Sequence, residues 1–253
     1  MKTIQTNSEK YYIDPVNAII NNDELITGMN GKKVNIDESY QNMKKINEFN
    51  ESMLVFDEVI PDISLSSNYD KYIVSGSTTK NQVALVFKVN DPHYVETVNN
   101  ILLDKNVLAT FFMDGSVIET NMEDVLELSN NGYQIENLGY DGKYSIDKFG
   151  WTNNMISSLT NEDTKFCYTD YKSTSVIDLC SDYRMHTIKP TISVNNYPFT
   201  TVKNELESGS IISFNLTEQT LKELPSIISY IKQKGFELVT LNELINENLV
   251  EEK

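Results

Sequence analysis

The stretch Val83-Ala84-Leu85-Val86-Phe87-Lys88-Val89-Asn90 decides the fold. It has the hydrophobic form of a buried strand, and from Val83 onward short apolar runs like it alternate with helical patterns. That alternation is the signature of repeated βα units around a parallel sheet or barrel. A helix read over Tyr94 to Asn106 places Tyr94, Val98, Ile101 and Leu102 on one face, and Val107 to Phe112 follows as a second buried strand. Strand, helix, strand is therefore written into thirty residues.

Further along, Thr120-Asn121-Met122-Glu123 reads as a helix start, with the Thr120 hydroxyl as cap and Glu123 reaching back. Gly132 reads as the stop. Tyr133 to Asn137 is the next strand, and Gly139 to Gly150 is a loop at that strand's carboxyl end, where sites are built in βα folds. Leu221, Leu224, Ile227, Ile228 and Ile231 form one helical stripe, which Pro225 either bends or restarts. Phe236 to Val239 is the last strand, and Thr240-Leu241-Asn242-Glu243 is a capping box for a terminal helix. The polar tail from Asn246 to Lys253 is expected to fray.

Residues before Lys80 have a different texture. Turn signals at Asn22-Asp23, Asn30-Gly31 and Pro61-Asp62 separate short strands from one helix, Asp37 to Ile46. Residues 1–80 read as a small α+β extension, joined through Ser75-Gly76-Ser77-Thr78-Thr79-Lys80 to a larger α/β domain at 81–253.

Composition narrows the function classes. The chain has 253 residues, 40% hydrophobic and 23% charged, which is ordinary for a folded soluble protein. A formal charge of −16 opposes binding to nucleic acid, whose phosphates need clustered Lys and Arg. No segment approaches the ~20 apolar residues of a membrane span. Residues 1–10 carry no signal-peptide run, so either the chain works in the cytosol or a leader has been removed. Cys167 and Cys180 are too few for a Cys-based zinc site, and the expectation is two buried free thiols.

The strand at Val83 to Asn90, Ala109-Thr110-Phe111-Phe112 with Gly115, and Gly209-Ser210-Ile211-Ile212 together resemble the polysaccharide deacetylase, or NodB-homology, family of carbohydrate esterases. The resemblance covers Gln82 to Ile245 and implies a distorted (β/α) barrel acting at the cell envelope. Gly28-Met29-Asn30-Gly31-Lys32-Lys33-Val34, continuing through Ser39-Tyr40 and Met43, resembles an extension preceding such domains in some Gram-positive relatives. The resemblance also implies a set of reactive residues that this chain lacks. The family's first strand ends in T-F-D-D-G, one Asp being the general base and the next a metal ligand; Lys88 and Val89 stand there. A lysine ammonium repels a metal cation, and valine has no donor atom. Gly132-Tyr133-Gln134-Ile135-Glu136-Asn137 is similar to the lead-in of the second motif, yet Leu138 and Gly142 occupy the positions of its two metal-binding histidines. Phe166-Cys167-Tyr168-Thr169-Asp170-Tyr171 aligns with the third motif without its Arg or Pro. Asn215 stands at the late-strand histidine that serves as general acid, and asparagine cannot shuttle a proton.

The expected function is accordingly non-catalytic, with no cofactor: a deacetylase-like domain whose cleft, drawn from Asp91, His93, Glu136, Asn137, Tyr140, Asp141, Tyr168, Asp170 and Asn215, binds a cell-wall glycan or a protein partner. Tyr133, Tyr144, Trp151 and Tyr171 add aromatic faces that either stack on sugars or pack the barrel rim. The alternative is an active N-deacetylase with a displaced divalent metal such as zinc near Asp91 and His93, joined by Asp141 or Asp170. Against it, Asp91-Pro92 reads as a helix cap followed by the first helical residue. His186 reads as a structural histidine, and Ser173 and Ser175 lack any G-x-S-x-G context.

Overall fold

The computed structural model describes residues 1–46 and 48–249, which divide into two compact units. The smaller unit holds residues 1–19 and 27–67 and the segment from Glu247. It contains α1 (Lys2–Ser8), and after β1 (Ile19–Asn21) and β2 (Glu24–Ile26) it continues with β3 (Gly31–Val34), α2 (Ile36–Met43) and β4 (Phe56–Val59). Strands β3 and β4 pair antiparallel, and Ile4, Val34 and Met43 form its core with Tyr40, Phe49 and Leu54 packed around them. Helix α2 starts where the Asn35 side chain accepts the Glu38 N–H. The expected fraying does not begin at Asn246. The Glu247 carbonyl accepts the Asn30 N–H, and its carboxylate accepts the Leu65 N–H at 2.9 and 3.0 Å. Residues 250–253 lie outside the described residues.

The larger unit, residues 20–26 and 68–246, carries β5 (Tyr72–Ser75), β6 (Gln82–Val89), α3 (Val95–Lys105), β7 (Thr110–Met113), α4 (Gly115–Thr120), α5 (Met122–Asn130) and β8 (Gln134–Asn137). After these come α6 (Ile146–Thr160), β9 (Phe166–Tyr168), α7 (Thr174–Asp182), β10 (His186–Ile188), β11 (Ile192–Val194) and α8 (Pro198–Glu205). It ends with β12 (Ile211–Asn215), α9 (Glu218–Gln233), β13 (Glu237–Val239) and α10 (Leu241–Ile245). The strand order is β1-β2-β5-β10-β9-β8-β7-β6-β12-β11, with β13 on β6. Strands β5 to β12 pair in parallel, and an isolated Ser75–Ser210 bridge draws β5 toward β12. The sheet is thus curled into the distorted barrel expected from the sequence.

The alternation along β6 fixes what faces where, because successive side chains take opposite faces of a strand. Leu85, Phe87 and Val89 enter the core shared with Val98 and Leu102 of α3 and Leu224, Ile227 and Ile228 of α9. Lys88 therefore faces the other way, into the barrel, beside its register partners Asn215 and Phe112.

Helix α9 runs unbroken through Pro225. An interior proline costs about 3 kcal/mol, but Leu221, Leu224, Ile227, Ile228 and Ile231 are all buried, each contributing roughly 1.5–3 kcal/mol. The stripe outweighs the lost hydrogen bond. The expected loop at 139–150 is shorter than the sequence suggested. Helix α6 begins at Ile146, after Ser145 in an extended conformation, and buries Phe149 and Thr152. Thr120 does not cap α5: its hydroxyl donates back to the Ser116 and Val117 carbonyls of α4, and α5 has no side-chain cap. The capping box at Thr240 and Glu243 is present in both directions.

The expectation of free thiols is corrected. Cys167 and Cys180 form a disulfide with Cα atoms 6.3 Å apart. Their 13-residue separation hid the pairing, because it arises only when α7 folds back onto the outer face of β9.

Candidate functional site in the barrel cleft

At the carboxyl ends of β6, β9 and β12 the barrel interior holds one polar cluster. Lys88 Nζ lies 2.9 Å from both carboxylate oxygens of Asp170. The lysine side chain is 12% exposed and the aspartate 38%. The Tyr168 hydroxyl donates to Asp170 Oδ1 at 2.7 Å and lies 2.8 Å from Ser213 Oγ. A phenol has one proton, so Ser213 is the donor in the second contact. Burial is the main cause that pushes the Tyr168 phenol far above its ordinary value. Lys88 Nζ also stands 5.1 Å from the Tyr168 ring centre. Asn215 closes the row, its amide 3.5 Å from Asn195 Oδ1.

The second-motif loop is held differently. Asp114 is 2% exposed and accepts from the Ser116 N–H and hydroxyl and from the Asp141 and Gly142 N–H groups at 2.7–3.0 Å. The last two donors hold the turn in which Asp141 and Gly142 take left-handed conformations, φ +50° and +69°. Asp141 is itself exposed. Leu138 is buried, and Gly142 has open space where a side chain would start. Asn137 is a structural residue, not a cleft residue: it is fully buried, donates to Asn153 Oδ1 at 2.6 Å and accepts the Gly139 N–H at 2.6 Å.

Glu136 is likewise no cleft ligand. It is 1% exposed and accepts the Lys165 and Phe166 N–H groups at 2.8 and 2.9 Å and the Gln134 amide at 2.6 Å. Burial lifts its carboxyl to about 8 against the pull of these three donors. It lines a cavity of about 240 Å³ with Gln134 and Lys165, at the amino ends of β8 and β9, and Asn242 of α10.

Asp91 and His93 do not gather a metal set. Asp91 Oδ1 accepts the His93 N–H at 2.9 Å, with Pro92 opening the turn, and the His93 ring lies edge-on to Tyr94 at 4.5 Å. Among the described residues, no group of three or more His, Cys, Asp or Glu is placed to hold a metal ion. The family's metal positions do not fit a cation either. Lys88 already puts a positive charge there, and Val89, Leu138 and Gly142 offer no side-chain donor. His186 stacks on Tyr69 at 4.2 Å, and burial lowers it to about 4.

Aromatic residues line the rim. The Tyr140 hydroxyl donates to Glu119 at 2.5 Å, which with partial burial raises the phenol to about 12. Its ring meets Trp151 edge-on at 5.5 Å, and Lys148 Nζ covers both rings at 4.2 and 5.2 Å. Tyr144 is internal, donating to the Asn137 carbonyl and accepting the Tyr168 N–H. Tyr171 and Tyr197, on the loops after β9 and β11, are 81% and 73% exposed.

Sequence reasoning missed the Lys88–Asp170 pair, Ser213 and Asp114. Two signals were present: a lone ammonium in an apolar strand needs a carboxylate partner, and Asp-Gly-Ser directly after a strand is a capping pattern.

The polysaccharide deacetylase family model matches residues 75–204, just over half of the chain. The chain belongs to the polysaccharide deacetylase family. It is 30% identical over 260 residues to the uncharacterized protein YlxY of Bacillus subtilis (strain 168), covering 94% of this chain and 81% of that protein. Wild-type BA3943, a CE4 family pseudoenzyme from Bacillus anthracis, matches at TM-score 0.76 and 26% identity over 99% of this chain and 96% of its own. A BA3943 mutant described as having restored enzymatic activity matches equally, at TM-score 0.76 and 26% identity over 98% of both chains. The Bc1960 peptidoglycan N-acetylglucosamine deacetylase, at 22% identity, TM-score 0.63 and 70% of this chain against 95% of its own, shares the fold.

Proposed function

We propose that this chain is a catalytically inactive polysaccharide deacetylase-like protein that binds a cell-envelope glycan in its remodelled cleft. One observation carries the reading: Lys88 is locked on Asp170 at the strand end where the family keeps its base. An ammonium so held neither accepts a proton nor admits a divalent cation. The pseudoenzyme character of BA3943 and the deacetylase activity named for Bc1960 support, respectively, the lost chemistry and the envelope setting. Glycan binding is supported by the exposed rings of Tyr171 and Tyr197, on the loops that follow β9 and β11, and by the Asn195–Asn215 amide pair, since flat apolar faces and amides both suit sugar rings.

The test combines zinc titration with metal analysis, an acetate-release assay on acetylated chitooligosaccharide and peptidoglycan fragments, and sedimentation with purified cell walls. The expected result is no stoichiometric zinc, no acetate, and wall binding weakened about tenfold by Tyr171→Ala, the loss of roughly 1.4 kcal/mol from one ring contact. Tight zinc binding abolished by Asp91→Ala and His93→Ala, with acetate release, overturns the inactive reading. Retention by a protein column but not by walls replaces the glycan with a protein partner.

A further inference from the structure

The Cys167–Cys180 bond lies directly behind the cleft cluster. Cys167 is on β9, one residue before Tyr168, and its side chain takes the opposite face of the strand. Cys180 is in the last turn of α7. Both are fully buried, packed with Phe149 and Met185 and flanked by Tyr144, Val176 and Leu179. The bond closes the segment that carries Tyr168, Asp170 and Tyr171. Within that segment, residues 169–173 are otherwise tied mostly through side chains: Asp170 on Lys88 and the Tyr168 hydroxyl, Lys172 on Asp23 and Glu24, the Thr169 hydroxyl on Tyr171, and the Ser173 N–H on the Tyr72 hydroxyl, with the Thr169 N–H on the Ile188 carbonyl as a backbone tie to the neighbouring strand. Asp170 and Tyr171 are exposed.

We infer that this disulfide is the covalent lock of the cleft, fixing the β9–α7 loop so that Asp170 meets Lys88, and that the protein matures where thiols are oxidised. Disulfides persist in oxidising compartments and are rare where thiol reductants dominate. In the step itself the two thiols lose two protons and two electrons and one S–S bond forms. The electrons pass to the disulfide of a thiol oxidoreductase, which is reduced to its dithiol. Both cysteines are used, and the described residues hold no free cysteine. This inference stands whether or not the cleft binds a glycan.

The test is acid-quenched alkylation of the full-length protein from the cells that make it, unfolded before labelling, with and without prior reduction, read by intact mass. The expected protein takes no alkyl group without reduction and two after it. Two alkyl groups without reduction overturn the inference. Amide hydrogen exchange then addresses the lock. Reduction, or the paired Cys167→Ala and Cys180→Ala variant, is expected to speed exchange at 169–173 at least tenfold while β6 and β7 keep their protection. Unchanged exchange in that loop refutes the lock. Loss of protection everywhere in the variant also refutes it, assigning the bond to global stability instead, and mild reduction of the folded wild type supplies the same readout without mutation.

Discussion

Removing either partner of the Lys88–Asp170 pair leaves a charge behind, and the two charges are unequally buried. At 2.9 Å and an effective dielectric of about 20, the gross attraction is roughly 6 kcal/mol. Desolvation offsets most of it, and net values run from under about 1 kcal/mol for exposed pairs to about 3–5 kcal/mol for breaking buried ones. Lys88→Met keeps the apolar stem and strands a carboxylate that is 38% exposed; water can solvate it, and the expected cost is about 1 kcal/mol. Asp170→Asn preserves an acceptor for the Tyr168 hydroxyl but strands an ammonium only 12% exposed, at an expected cost of about 2–3 kcal/mol. Urea unfolding of the wild type, both single variants and the double variant gives these numbers and a coupling energy, expected at about 1–2 kcal/mol and largely retained in 1 M salt. Equal costs for the two single variants, or a coupling abolished by salt, would refute the claim that the ammonium is the buried member of the pair.

Other perturbations have defined outcomes. Asp114→Ala removes the acceptor of four donors and is expected to destabilise the fold by about 2–4 kcal/mol, read as a lowered urea midpoint; a change under about 0.5 kcal/mol contradicts its role in fixing Asp141 and Gly142. Glu136 has a raised folded pKa of about 8. Its folded form therefore holds its proton more tightly, and this contribution to stability is full below the ordinary carboxyl range and lost as pH rises to about 8. A carbon-13 titration of its carboxyl should show a midpoint near 8, and a midpoint near its ordinary 4.5 rejects the assignment. His186 is depressed to about 4, so the unfolded state takes up its proton first and stability falls as pH drops from about 6.5 toward 4. His186→Phe keeps the stack on Tyr69 and should flatten that acid limb in a pH series of unfolding curves.

What was legible in the sequence was mostly local. The alternation from Val83, the capping box at Thr240 and the cap at Asp91 depend on neighbours within four residues, and each is present as read. The family pattern added the barrel and the vacated positions Lys88, Val89, Leu138, Gly142 and Asn215. What escaped depends on distant partners. Lys88 and Asp170 are 82 residues apart, and reading Lys88 as only a lost carboxylate concealed that it had gained one as a partner. Glu136 and Asn137 looked like cleft residues because they end a strand next to a motif, but alternation turns Asn137 outward toward α6, while the Lys165 and Phe166 amides claim Glu136. Thr120 failed as a cap because α4, unseen in the sequence, offered its carbonyls first.

A metal centre makes a protein answerable to its surroundings: chelators strip it, competing ions displace it, and scarcity empties it. In this barrel the positive charge at the end of β6 is bonded to the backbone through four methylenes and is present from the moment the chain is synthesised. Its occupancy is one at any zinc concentration. A bound ion brings its charge only while it stays bound; this ammonium brings its charge with the chain.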